Sequence, residues 1–121
     1  MRSSNAIKTG LRSNATVIPP SVLSMPEKVV MNNADEISVE LLSRIDQGEH
    51  IWVINLTETA FMDSSGLAVL ISAWKKVQQA GGVMLVAQPT PTVRALLELT
   101  RLHELFEIYE DVNDAIEQAT R

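Results

Sequence analysis

One short run in this 121-residue chain combines residue types that chemistry can use: Asp63-Ser64-Ser65-Gly66 sets a carboxylate, two hydroxyls and a glycine in direct succession. As nucleophiles the serines fail a simple requirement. A serine hydrolase of the Gly-x-Ser-x-Gly type needs glycine on both sides of the serine so that a sharp turn can expose the hydroxyl. Met62 and Asp63 occupy the upstream places of Ser64 and Ser65. As an acceptor of a phosphoryl group, a serine opening a helix is well placed, because free amides and the helix dipole favour an anion there. A phosphate beside Asp63 would add about −1.5 to −2 of charge and would block a close-fitting partner without unfolding the domain. The plain alternative is an ordinary N-cap cluster worth about 1 kcal/mol to its helix. Residue types alone leave both open.

The rest of the chain offers little competing chemistry. There is no Gly-rich loop ending in Gly-Lys-Ser/Thr, and His50 and His103 lie too far apart for metal-ligand spacing, each reading as a surface or loop residue. With no cysteine, disulfides, thiolate metal sites and cysteine nucleophiles are excluded. Carboxylates are plentiful, but none stands in a context that singles out an acid/base pair. The expectation is a binding protein, without metal or cofactor, and not an enzyme.

Short apolar runs alternate with helical patterns from Ala15 onward, which predicts a single α/β domain over residues 15–121. Thr16 to Ile18 and Val22 to Met25 read as short strands, held to edges or strand ends by Pro19, Pro20 and Pro26. Asn33, with Glu36 three places on, reads as the cap of a helix from Ala34 to Asp46, bearing Ile37, Leu41, Leu42 and Ile45 at helical spacing. IWVINL, Ile51 to Leu56, is the nearly continuous apolar run of a strand covered on both faces.

A second helix carries Leu67, Leu70, Ile71, Trp74 and Val77 on one face, with Lys75 and Lys76 off that stripe, and ends at Gly81-Gly82. Val83 to Ala87 is a second buried strand. Thr90-Pro91 opens a third helix, Phe106 to Tyr109 reads as a last strand, and Asp111 caps a final helix with Val112, Ala115, Ile116 and Ala119. Buried parallel strands joined through helices imply right-handed crossovers, and such sheets place their ligands beyond the carboxyl ends of the strands, where Asp63-Ser64-Ser65-Gly66 falls.

Formal net charge is −5, and three basic residues without an acid in residues 1–14 (Arg2, Lys8, Arg12) leave −8 on the remainder. An acidic surface repels phosphate backbones, so nucleic acid is disfavoured and a basic protein surface is the easier partner. Residues 1–14 lack periodicity and read as a disordered arm; their basic, serine-bearing composition also resembles a transit peptide, though without an amphipathic stripe. Neither a run of about 20 apolar residues nor the apolar core of a secretory signal is present, which predicts a soluble, cytoplasmic protein.

Phe61-Met62-Asp63-Ser64-Ser65-Gly66-Leu67, together with the preceding IWVINL strand, resembles the core motif of STAS domains, named for sulphate transporters and anti-sigma factor antagonists. The likeness continues through Ala80-Gly81-Gly82, the strand VMLVA, the helix Thr92 to Leu97 and the strand Leu105 to Ile108, covering roughly residues 50 to 118. The resemblance implies a four- to five-stranded mixed sheet with about four helices mainly on one side. A free-standing domain of this size looks like the bacterial antagonist branch, in which the serine after the motif aspartate is phosphorylated by an anti-sigma factor that is itself a serine kinase of the GHKL ATPase type, and is restored by a serine phosphatase.

Carried over, Ser64 is the phosphorylation site, and Asp63, Ser65 and Gly66 form the loop and partner surface. The unphosphorylated protein would bind the kinase and free the sigma factor, acting as a monomer or weak homodimer. The family usually carries a Gly-Glu-Leu-Asp-like turn after its opening strands; Pro26-Glu27-Lys28-Val29 stands there, and Val29 supplies no carboxylate. Two other binding roles fit the same domain: a subunit of an ABC-type lipid transporter, docking through the same loop without phosphate, and a stressosome-like scaffold component that forms large particles.

Overall fold

The computed structural model describes residues 18–120. Of the expected strand Thr16 to Ile18, Thr16 and Val17 lie outside the described residues and Ile18 is in no strand; the arm over residues 1–14 and the start of the domain at Ala15 also lie outside the described residues. The elements run β1 (Ser21–Ser24), β2 (Lys28–Val29), α1 (Met31–Asp46), β3 (Ile51–Asn55), β4 (Phe61–Met62), α2 (Ser64–Gln79), β5 (Val83–Ala87), α3 (Pro91–Leu99), a 3-10 turn (Leu102–Glu104), β6 (Glu107–Tyr109) and α4 (Val112–Thr120).

Four strands form one sheet in the order β1-β3-β5-β6, and β2 pairs with β4 in a separate two-stranded ribbon. All these pairings are parallel. An antiparallel strand, which a mixed sheet requires, is not among the described residues. Each step of the main sheet moves one place in the same direction, through α1, then α2, then α3. Crossovers of one hand that never reverse direction put their helices on one face. The buried residues follow this rule. Trp52, Ile54, Met84 and Val86 join α1, α2 and α3 in one core, while Val53, Leu85 and Ala87 point the other way, onto Ala115, Val112 and Ile116 of α4. Strand β3 is central, and Trp52, Val53 and Ile54 are fully buried, as a doubly covered apolar run demands.

The winding also places the N-termini of α1, α2 and α3 together at the carboxyl end of the sheet. Their opposite ends close with ordinary chemistry. Gly81 adopts a φ of 76°, and the Gly81 and Gly82 amides donate to Gln78 and Val77, so the glycine pair ends α2 in the left-handed motif its sequence predicts. Among the described residues no helix is long and apolar enough to cross a membrane.

One helix start differs from expectation. α1 begins at Met31, with Val30 as cap, and Asn33 is its third residue: its Oδ1 accepts from the Val30 amide at 2.9 Å and its Nδ2 donates to the Lys28 carbonyl at 2.8 Å. Asn33 therefore reaches backward to fix the entry of the helix and does not begin it. α2 starts at Ser64 itself, which makes the serine the first residue of the helix. The stripe of α2 is core as expected, with Leu70 and Val77 fully buried. Lys76 is drawn into an ion pair with Asp46 of α1 at 2.9 Å, whereas Lys75 is exposed.

Candidate functional site

The loop from Leu56 to Asp63 carries the candidate serine, and backbone hydrogen bonds fasten it on three sides. Leu56 donates to Ala87 of β5 at 2.9 Å, Ala60 and Phe61 donate to the Glu27 carbonyl at 2.8 and 3.1 Å, and Asp63 donates to the Val29 carbonyl at 3.2 Å. Thr59 is fully buried; its hydroxyl lies 3.4 Å from the Met25 carbonyl, and its own carbonyl accepts from the Thr90 hydroxyl at 2.7 Å. Buried polar groups of this kind cost free energy unless bonded, so these contacts define one conformation of the loop. Ser64 is presented on a rigid support.

Val29 holds the register. It pairs with Met62 across the ribbon, is fully buried, and sets its carbonyl against the first turn of α2. A Cβ added to Gly66 would stand 2.6 Å from that carbonyl oxygen and closer still to the Met62 side chain. Only glycine admits this approach. The position where the family resemblance leads one to expect an aspartate therefore does lie beside the Ser64 loop, but here it packs and bonds through its backbone and brings no charge.

Asp63 is the N-cap of α2: its Oδ1 accepts from the Ser65 and Gly66 amides at 2.8 and 3.2 Å. The expectation of free amides at this helix start is thus corrected, since the motif's own carboxylate takes two of them. Its Oδ2 accepts from the Met31 amide of α1 at 3.1 Å. This second bond was not legible in the sequence, because its two ends are 32 residues apart.

The four predicted residues are therefore contiguous in one structure with distinct places. Ser64 is exposed at the helix start, Asp63 and Ser65 are half-buried, and Gly66 is buried against the ribbon. A groove of about 300 Å³ runs from this point between α1 and α2, with Met31, Asp35 and Ser38 on one wall and Ser65, Ala68 and Ser72 on the other. Met31 is 78% exposed and Phe61 49%, so two large apolar side chains stand unburied at the ends of the elements that flank the serine. Phe61 stands in the family motif, but neither its exposure nor that of Met31 is evident in the sequence. Phe61 belongs to a two-residue strand and Met31 to a helix turn ahead of the expected cap.

The histidines stand elsewhere. His50 precedes β3, at the opposite end of the sheet from Ser64, with Nε2 3.2 Å from the Ile45 carbonyl at the close of α1, and His103 is exposed in the 3-10 turn. Neither faces the serine. What the site presents is an exposed hydroxyl at a helix start, a neighbouring carboxylate committed to backbone amides, and a shallow groove. Such an arrangement can receive a group from another protein and dock one.

A model of the STAS domain matches residues 12–115. The anti-sigma F factor antagonist of Paenibacillus polymyxa is 40% identical over 70 residues, which cover 58% of this chain and 59% of that protein. The crystal structure of a candidate anti-sigma factor antagonist from Thermotoga maritima superposes with a TM-score of 0.77 at 25% identity, covering 83% of this chain and 88% of that one. The fold is also that of SpoIIAA, an anti-sigma factor antagonist, in its unphosphorylated form (TM-score 0.67, 21% identity, 77% of this chain and 83% of that chain). The match to the phosphorylated form of SpoIIAA from Bacillus is equivalent (0.66, 20%, 80% and 87%). A single family accounts for the motif, the sheet order and the helix arrangement: this chain belongs to the STAS domain family.

Proposed function

We propose that this protein is an anti-sigma factor antagonist that switches partners through Ser64. The observation that carries the reading is the placement of Ser64: an exposed hydroxyl at the first position of α2, on a loop held rigid by Thr59, Glu27 and Val29, in a motif whose relatives are named as antagonists. Unmodified, the loop, Phe61, Met31 and the groove between α1 and α2 dock an anti-sigma factor. The charge of the body, −8 outside residues 1–14, favours a partner with a basic face.

Phosphorylation of Ser64 adds negative charge and bulk at the centre of that surface and ejects the partner. The anti-sigma factor is the kinase, of the GHKL ATPase type, and a serine phosphatase resets the switch. Asp63 lies next to the hydroxyl but is tied to three backbone amides, so it positions the loop and is poorly placed to act as a base. The kinase supplies the catalytic groups.

The test is to capture the partner from host lysate on the immobilised protein, incubate the two with ATP and Mg²⁺, and map the product by mass spectrometry. The reading predicts a single phosphate on Ser64 and none in Ser64→Ala. Transfer to Ser65, or capture of transporter subunits without transfer, would contradict it.

A further inference from the structure

Asp63 joins two helices. Its Oδ1 holds the Ser65 and Gly66 amides of α2, and its Oδ2 holds the Met31 amide at the first residue of α1. α1 has no acidic residue in its own first turn, and its cap, Val30, has no side-chain acceptor. The negative charge that answers the α1 dipole therefore comes from another element, and it comes from the residue adjacent to Ser64. The two helices so linked are the two walls of the groove, with Met31 on one and Ser65 on the other.

We infer that Asp63 is a positioning residue that transmits the state of Ser64 to α1, so that phosphorylation loosens the first turn of α1 and reshapes the groove. This rests on the Ser64 switch proposed above. A phosphoryl group on Ser64 sits one residue from the carboxylate, repels it, and brings oxygens that compete for the amides it holds. The two bonds to α2 are made within one turn of Asp63 itself. The single bond to Met31 spans separate elements and is exposed, so it is the one that yields. Releasing it leaves the α1 amide unpaired and frees the wall that carries Met31. Discrimination between the two forms then extends from Ser64 along both sides of the groove.

The experiment follows the Met31 amide proton by NMR in the isolated, ¹⁵N-labelled protein, with serine or phosphoserine installed at position 64, and again in Asp63→Asn. The asparagine Oδ1 still accepts from α2, while its NH₂ faces Met31 and cannot accept. In the wild type the Met31 signal moves on phosphorylation toward the position it has in Asp63→Asn, and in Asp63→Asn phosphorylation leaves it in place. Signals from β3 remain fixed in all forms. A Met31 signal unchanged by phosphorylation of the wild-type protein overturns the inference without reference to any variant. Because no partner is present, the outcome is separate from that of the switch. A partner that binds both forms equally would remove the switch and leave the coupling, and a partner that discriminates while Met31 stays still would do the reverse.

Discussion

The carbonyl oxygen of Val29 stands 2.6 Å from the point a Cβ would occupy on Gly66, so the ribbon and the first turn of α2 touch backbone to backbone. Gly66→Ala cannot be relieved by a rotamer, because the obstacle includes main chain that is itself bonded to Asp63. Overpacking of this kind costs about 1 to 3 kcal/mol. A urea titration followed by circular dichroism should give a midpoint lower by the corresponding amount. The variant should also bind the partner more weakly, since relief requires α2 to move away from β2.

Thr90 links the buried loop to α3. Its hydroxyl donates to the Thr59 carbonyl at 2.7 Å and lies 3.5 Å from the Val93 amide it caps. Thr90→Ala leaves a carbonyl without its donor and a helix without its cap, a loss of about 1 to 2 kcal/mol. Thr90→Ser should recover most of it. Equal stability of the alanine and serine variants in thermal unfolding would show that the hydroxyl is dispensable.

Glu49 is held at a carboxylate pKa below its ordinary value, first by hydrogen bonding from Arg44 and then by the Ser21 hydroxyl, with the Arg44 charge adding to the effect. A depressed folded-state pKa stabilises the protein at pH above the unfolded value, about 4.3 for glutamate, and that contribution disappears as pH falls through the lower folded value. The stability difference between wild type and Glu49→Gln should therefore be constant from neutral pH to about 5 and shrink on further acidification. Both partners are partly exposed, which keeps the difference small. Parallel acid-unfolding curves for the two proteins would refute the assignment.

Arg94 and Glu110 form a short contact in which one guanidinium nitrogen donates to both carboxylate oxygens, but Glu110 is 76% exposed. Without the two-nitrogen fork and with water at hand, such a pair contributes about 1 kcal/mol or less. Glu110→Gln should shift the melting temperature far less than Gly66→Ala does. A loss as large as that of the glycine variant would mean that α3 and the loop before α4 depend on this pair.

The fold was legible where periodicity and punctuation coincide. The strand Ile51–Asn55, the glycine pair after α2 and the Thr90-Pro91 start all stand where their residue types require. The four candidate residues stand out as a group because they are contiguous. What escaped was set by distant pairing. Lys28–Val29 and Phe61–Met62 are too short to show a pattern, and they are strands because each supplies the other with a partner. α1 begins at Met31, three residues before the expected Ala34, and the acceptor of its first amide is Asp63, which no local signal reveals. Val29 was legible only as a missing carboxylate; that its backbone carbonyl abuts Gly66 depends on β2 and β4 meeting.

The switch proposed at Ser64 is binary, docking being either permitted or blocked. It is tested most directly by calorimetric titration of the captured anti-sigma factor with the protein carrying serine, phosphoserine, alanine or aspartate at position 64. Tight binding is expected of the serine and alanine forms, and binding at least tenfold weaker, about 1.4 kcal/mol or more, of the phosphoserine and aspartate forms, all with the same fold by circular dichroism. Equal affinity of the serine and phosphoserine forms would contradict it and leave Ser64 as the first residue of a helix and nothing more.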